Sequence, residues 1–437
     1  MASAKKNSIW NLADRFEGDK VVWIIVMMLI LTSIICIFSS TSRLLSAGQT
    51  RLDIVRGQLV LVAAGVGLII LCYSIKNIKF FRWCSKWGFL LSFVLLAMLD
   101  CHISTPFVKA LNINHAYRIL SIAGVQVHVF EVVKVAMVLY LAWAQDALKK
   151  GELKGPESTR WKKICYIYAP FLLTFAMIIP GSNSSALFIG GIMFIVILLG
   201  GGNFKEMGVL LLTGIVMVLL CLGIYKISNG AVLGRIGTAV ERITDDTDWE
   251  KIFKNSRKNS AEYQKALDEL RQPYSAKIAI HQGKLLGKGP GQSTQRYIVP
   301  DISEDYMYSF IIEEYGLVGG AFVIFLYVSL LARGAIIVRN CGKDQYAKLT
   351  VAGLCLLITG QAFLHMFVNV DIGPMTGQTL PLISHGNSAF LCFSLAFGII
   401  LSFSRIATRR IERETRDADP LVEAHAAETP ETDNFDI

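Results

Sequence analysis

Charged residues set at the edges of apolar runs, or inside them, are what could do chemistry in this sequence. The stretch VPDISEDYMYSFIIEEYGLVGG, residues 299–320, opens with Asp301, Glu304 and Asp305, turns apolar, and then places Glu313 and Glu314 inside the apolar run. A carboxylate at such an edge can meet a polar partner from outside the membrane, whereas one buried in the run is costly and needs a partner or a cavity. Taken as a helix from about Asp305, Glu313 lies about 12 Å deeper and about 80° round, and Glu314 about 180° round. Two carboxylates working as a glycosidase pair need roughly 5–10 Å on one cleft, so Asp305 pairs with neither unless the helix breaks. The roles separate: Asp305 can meet a polar substrate, and Glu313 and Glu314 hold neighbouring helices or line the floor of a cavity. A carboxylate favouring a helix N-terminus is the plainer reading of Asp305.

Two further places stand out. In VFEVVKVAMVLYLAW, Glu131 and Lys134 lie three apart on one helix face. They are either a functional pair facing a cavity or an ion pair that merely tolerates burial. In AKIAIHQGKLLGKGPGQS, Gly283, Gly287, Gly289 and Gly291 alternate with Lys284 and Lys288. No G-K-[ST] follows, so this is not a P-loop. Its backbone N–H groups could cradle an anion, or the segment is a flexible re-entry loop. The nine cysteines are scattered and the seven histidines show no ligand spacing, so no metal site is expected.

The chain that must position these residues is 53% hydrophobic and 18% charged, with a mean hydropathy of +0.49. That composition implies an all-α polytopic integral membrane protein. Windows long enough to cross about 30 Å of hydrocarbon occur about ten times. They cover roughly 21–40, 57–75, 86–103, 129–147, 164–180, 184–201, 207–228, 305–332, 349–369 and 388–405. Lys and Arg number about 24 on the side holding the N-terminus and about five in the short loops opposite, so both termini are expected in the cytoplasm. The expected organisation is a cytoplasmic segment 1–20, seven spans in 21–228, a long extracytoplasmic loop 229–304, three spans in 305–405 and a cytoplasmic tail 406–437. The tail is acidic after Arg416, with little to bury, and is expected to be disordered. The first span has no A-x-A-like site and reads as a retained helix. Within the loop, Trp249, Ile252, Phe253, Tyr263, Leu267 and Leu270 form an apolar stripe on a charged helical stretch. The net charge of +9 falls mostly in the inside loops, where it serves topology and anionic membrane lipids rather than nucleic acid. The two halves of the chain show no resemblance to each other, which disfavours a transporter built from inverted repeats.

These residues carry a resemblance to the SEDS family (shape, elongation, division and sporulation), which includes FtsW and RodA. HAYRIL and FEVVKVAMVLYLA resemble G-A-R-R-W-I and S-E-x-x-K-x-A-x-V-L-Y-L-A, mapping the family's arginine to Arg118 and its acid–base pair to Glu131 and Lys134. The glycine-rich segment resembles A-I-x-S-G-G-x-x-G-x-G-x-G-x-S. The acidic stretch resembles P-E-x-x-x-D-F-I-F-x-x-x-x-E-E-x-G-x-x-G, placing the family's catalytic aspartate on Asp305. QAFLHMFVNVDIGPMTGQTLPLISHGNSAF matches a further motif at Asn369, Pro374, Thr376, Gly377, Leu380, Pro381, Ser384, Gly386 and Ser388. Two motifs depart: Y-G-G-S-S is here His385, Gly386, Asn387, Ser388 and Ala389, and P-D-L-G-T-A is PGSNSSA, without its aspartate.

The resemblance implies a peptidoglycan glycosyltransferase. It would polymerise lipid II, an undecaprenyl-pyrophosphate-linked disaccharide peptide, at the outer face of the cytoplasmic (inner) membrane. A class B penicillin-binding protein that crosslinks the product, and other membrane proteins of the divisome, are the implied partners. Asp305 is then the candidate general base, and Arg118, Glu131, Lys134, Lys288, Arg296 and Ser384 are candidate substrate-binding residues. Glu313, Glu314, Asn369, Gly377 and Pro381 would shape the cavity. Any Mg²⁺ or other divalent cation would be held largely by the lipid pyrophosphate. The polar N-terminal stretch and long C-terminal tail lean toward the FtsW-like division branch over a RodA-like elongation role. A lipid II flippase and a non-catalytic divisome scaffold are the rival readings.

Overall fold

Apolar runs of this length fold as helices because, without water, only a helix or a closed barrel satisfies its own backbone. The structure, a computed structural model, describes residues 17–40, 51–113, 116–155, 157–227, 249–256, 260–299, 302–373 and 375–417. Helices α1 (Lys20–Ser40), α2 (Arg51–Ser74) and α3 (Ile78–Asp100) lead to strands β1 (Val108–Ile113), β2 (Ala116–Ile122) and β3 (Val125–His128). There follow α4 (Val129–Lys149), α5 (Thr159–Lys163), a π-helical turn (Ile164–Tyr168), α6 (Ala169–Ile178), α7 (Asn183–Leu199) and α8 (Phe204–Ile227). The rest comprises α9 (Trp249–Asn255), α10 (Ala261–Gly283), α11 (Met307–Asn340), α12 (Gln345–Asn369) and α13 (Asn387–Asp417). Seven of these helices are long and apolar enough to cross a membrane: α1, α2, α3, α8, α11, α12 and α13. The chain is a multi-pass membrane protein.

The other three windows fall on helices of different character. Helix α4 carries Glu131, Lys134, Asp146 and Lys149 and is almost wholly buried. The fifth window is divided by the π-helical turn, and α7 has 17 residues. A count of ten spans therefore rests on the sequence windows alone. Helices α4, α12 and α13 form the buried centre, and α8 lies at the periphery with most of its apolar side chains exposed.

The structure corrects three expectations. Within the helical chain, expected to be all-α, Val108–Ile113, Ala116–Ile122 and Val125–His128 form a small antiparallel sheet in the order β1-β2-β3. Its second turn, Ala123 and Gly124, has positive φ at both residues, as a right-twisted hairpin requires. The last helix runs past Arg405 to Asp417, so 406–417 is helical; residues 418–437 lie outside the described residues. The span expected from 305 begins at Met307 and is broken at Gly316, so the ideal-helix angles do not carry through it.

In the long loop, Phe253 stacks on Tyr263 with ring centroids 4.8 Å apart. Phe253, Leu267 and Leu270 then line an apolar groove with Tyr274 and Ile278, so this much of the stripe packs locally. The side chain of Trp249 lies outside the described residues. At one end of the bundle the Asp19 carboxylate meets Arg333 at 2.7 Å, the Asp19 N–H donates to Ser404 Oγ at 2.8 Å, and Arg409 pairs with Glu17. The opposite end holds Ser39, the glycine-rich loop and Asp305.

The break in α11 is built by its neighbour. Lys288 and Gly289 donate N–H bonds to the carbonyls of Glu313 and Glu314, and Leu317 and Val318 donate to those of Lys284 and Leu285. Two backbones approaching this closely leave no room for a Cβ. One added at Gly287 would lie 2.2 Å from the Glu314 carbonyl oxygen, and one at Gly316 2.2 Å from that of Leu285. Both glycines also have positive φ. Gly287→Ala should cost more than about 2 kcal/mol. The check is thermal melting of the purified protein; an unchanged midpoint would mean the junction yields freely.

Candidate active site

Asp305 sits in a turn just ahead of α11, and the turn is gripped at three successive carbonyls. The Ser303 carbonyl accepts from the His385 N–H at 2.8 Å and that of Glu304 from Ser384 Oγ at 2.8 Å. The Asp305 carbonyl accepts from Asn369 Nδ2 at 3.0 Å. Backbone held this way presents its side chain with little freedom. The half-buried Asp305 faces Gly377, where an added Cβ would make ordinary contact 3.7 Å from Oδ2 and where the left-handed φ of 61° favours glycine. The grip is itself supported: Ser384 Oγ accepts from the Leu380 N–H at 2.9 Å, and the Tyr327 hydroxyl donates to the Pro381 carbonyl at 2.6 Å. Asn369 Oδ1 accepts the Ser309 N–H at 2.9 Å, capping an otherwise unpaired donor in the first turn of α11.

Behind this turn lies a buried polar network centred on Lys134. Its ammonium donates to Glu131 Oε1 at 2.6 Å, Gln361 Oε1 at 2.6 Å and Gln378 Oε1 at 3.0 Å, three acceptors for its three protons. Gln378 Nε2 donates on to Ser185 Oγ at 3.0 Å, and Gln361 Nε2 to the Thr379 carbonyl at 2.9 Å. His365 joins the network to the head of α11. Its Nε2 accepts the Tyr308 N–H at 3.3 Å, so Nδ1 carries the proton that bonds the Gln378 carbonyl at 2.7 Å. Glu131 Oε2 is buried without a hydrogen-bond partner. Arg118, on β2, donates from Nε to the Gly181 carbonyl at 3.1 Å, just ahead of α7. Where the family motif has its aspartate, this chain has neutral residues, with Ser182 capping α7 by accepting the Ser185 N–H.

The glycine-rich loop is occupied otherwise than an anion cradle requires. Glu313 takes Lys288 Nζ at 2.6 Å, the Thr294 N–H at 2.9 Å and the Ser293 hydroxyl at 2.5 Å. Glu314 takes the Ser39 hydroxyl at 2.6 Å and the Gly291 N–H at 3.1 Å. The loop's donors are thus spent on these two buried carboxylates and on backbone carbonyls, and the acids pin the loop and the end of α1. Arg296, also buried, donates to the Ser39 carbonyl at 3.0 Å and the Tyr297 hydroxyl at 2.8 Å. Lys288 and Arg296 therefore bind groups of the protein itself, while Asn369 and Gly377 meet Asp305, Ser384 holds the carbonyl before it, and Pro381 is fixed one step away by Tyr327.

Sequence reading passed over Gln361, His365 and Gln378. The first two had a visible signal. With Asn369 they form a polar stripe at intervals of four along an apolar helix, one face of α12. Gln378 lies in a loop, where no period marks it.

Comparison with known proteins bears on the whole chain. The protein described as "probable peptidoglycan glycosyltransferase FtsW" of Enterococcus hirae is 25% identical over 427 residues, 93% of this chain and 97% of that one. Stage V sporulation protein E of Bacillus subtilis is 24% identical over 353 residues, 79% and 86%. Among solved structures, a chain of a peptidoglycan synthase complex described as coordinating polymerisation and crosslinking superposes with a TM-score of 0.60 at 19% identity, covering 89% of this chain and 98% of that one. The rod shape determining protein RodA of Thermus thermophilus gives 0.56 at 18%, covering 89% and 97%. At these identities the structural likeness speaks to the fold. The family described as "cell cycle protein", that of FtsW, RodA and SpoVE, matches residues 19–409, a range that takes in the Asp305 turn, the Lys134 network and every helix from α1 to α12, and this chain belongs to it.

Proposed function

We propose that this chain is a peptidoglycan glycosyltransferase that polymerises lipid II for the division septum, with Asp305 as general base. The observation that carries the reading is the turn held at three successive carbonyls, which presents one half-buried carboxylate at the end of the bundle away from Asp19, Arg333 and Arg409. The acceptor is a sugar hydroxyl, a weak nucleophile that gains from a positioned base. An α-linked donor becoming a β-linked polymer needs a single displacement and hence one base, and no second carboxylate as nucleophile. The proton goes from the acceptor hydroxyl to the Asp305 carboxylate, the new bond forms at the anomeric carbon, and the lipid pyrophosphate leaves. Half-buried Arg118, the arginine of the family motif, is the candidate cation for that leaving group, although like Lys288 at Glu313 and Arg296 at Ser39 it also bonds a protein group, the Gly181 carbonyl. Any divalent cation would be held largely by the pyrophosphate oxygens. The named relatives and the synthase complex support a class B penicillin-binding protein as partner.

Purified protein given lipid II should form glycan polymer in the presence of a drug that blocks classical penicillin-binding-protein glycosyltransferases. No polymer, with lipid II moved across vesicles instead, would favour a flippase. The reading also places Asp305 outside the cytoplasmic membrane. A reporter after Gly155 or Gly342 should read cytoplasmic and one near Asn255 extracytoplasmic. An outside signal at Gly155 would remove the orientation, and Asp305 with it.

A further inference from the structure

The loop between α12 and α13 carries a histidine that the mechanism above does not use. The His385 N–H donates to the Ser303 carbonyl, and Ser384, just before it, donates to that of Glu304, so His385 is seated on the turn that presents Asp305. Its ring makes no hydrogen bond among the described residues, and Nδ1 is buried without a partner. Across the turn, Thr376 precedes the glycine that faces the Asp305 carboxylate, and its hydroxyl is likewise buried and unpartnered. Both atoms lie on segments flanking Asp305, where a group arriving from outside the protein would supply the missing partner.

The chemistry of that group follows from the imidazole. Burial pushes the His385 pKa down, which leaves the ring neutral at neutral pH, with one N–H donor and one bare nitrogen acceptor. A pyrophosphate can only accept and would draw a charged imidazolium. Sugar hydroxyls both give and take, and match a neutral ring. We propose that His385 contacts the sugar bound at Asp305, exchanging hydrogen bonds with its ring hydroxyls. The identity of that sugar rests on the glycan-polymerising reading; the site itself rests on the two unsatisfied atoms.

The test measures lipid II affinity and polymerisation rate for the full-length protein and three variants, each with its melting temperature. His385→Gln keeps a donor and an acceptor and should bind within about threefold of wild type. His385→Leu has neither and should bind at least about tenfold more weakly. His385→Arg offers donors only and should resemble the leucine variant. Leucine binding as tightly as wild type overturns the contact. Arginine binding like wild type while glutamine binds weakly makes it a pyrophosphate contact and overturns the hydroxyl assignment. Should the leucine variant fail to fold, the glutamine–arginine contrast decides. A wild type that binds lipid II without polymerising it removes the transferase reading and leaves affinity to decide the His385 contact.

Discussion

Asp305→Asn should reduce glycan polymerisation by about 10²–10⁴ while leaving expression, membrane insertion and partner binding intact. The amide keeps the size of the carboxylate and most of its hydrogen bonding but cannot take a proton at neutral pH. The turn should survive the change, because it is held through the carbonyls of Ser303, Glu304 and Asp305 rather than through this side chain alone. Glu304→Gln, one residue earlier and exposed, should be far milder. A role at the helix terminus alone predicts a small stability change and full activity, since asparagine also suits that position. Polymer formation by the asparagine variant at near the wild-type rate would therefore end the assignment of Asp305 as base.

Lys134→Ala should be among the most destabilising single changes in the chain, by about 3–5 kcal/mol, because it strands the half-buried Glu131 carboxylate, whose Oε2 already lacks a partner. Glu131 and the side-chain oxygens of Gln361 and Gln378 all lose the same donor. Glu131→Ala should be less severe, as Lys134 keeps its two glutamines. Exchanging the two residues separates a simple ion pair from a network. In an isolated pair the exchange restores the attraction. Here it would set a carboxylate against two glutamine oxygens, with Gln361 Nε2 already committed to the Thr379 carbonyl and Gln378 Nε2 to Ser185. The exchanged protein should melt well below wild type. If it melts at the wild-type temperature with full activity, Glu131 and Lys134 are only a self-neutralising pair.

What the sequence determined by itself is whatever depends on composition and short spacing. Apolar windows set the helical membrane core, because chain length against bilayer thickness is a local property. Glu131 and Lys134 were legible as a pair because three residues along a helix bring side chains together. Motif resemblance brought Asp305, Asn369, Gly377 and Ser384 to notice. Tertiary structure alone decided which charges are spent and on what. Lys288 and Arg296 look like substrate cations in the sequence, but the glycine-rich loop folds against the broken helix α11 and hands them to Glu313 and the end of α1. The sheet of β1, β2 and β3 was hidden because its strands are short and lie between long apolar runs. The grip on Asp305 joins residues some 60 to 80 positions apart, from Asn369 to Asp305 and from Ser384 to Glu304. No local pattern encodes such contacts. They arise only once α11, α12 and the loop before α13 have packed, when backbone carbonyls shut away from water must take whatever donors the fold brings within reach.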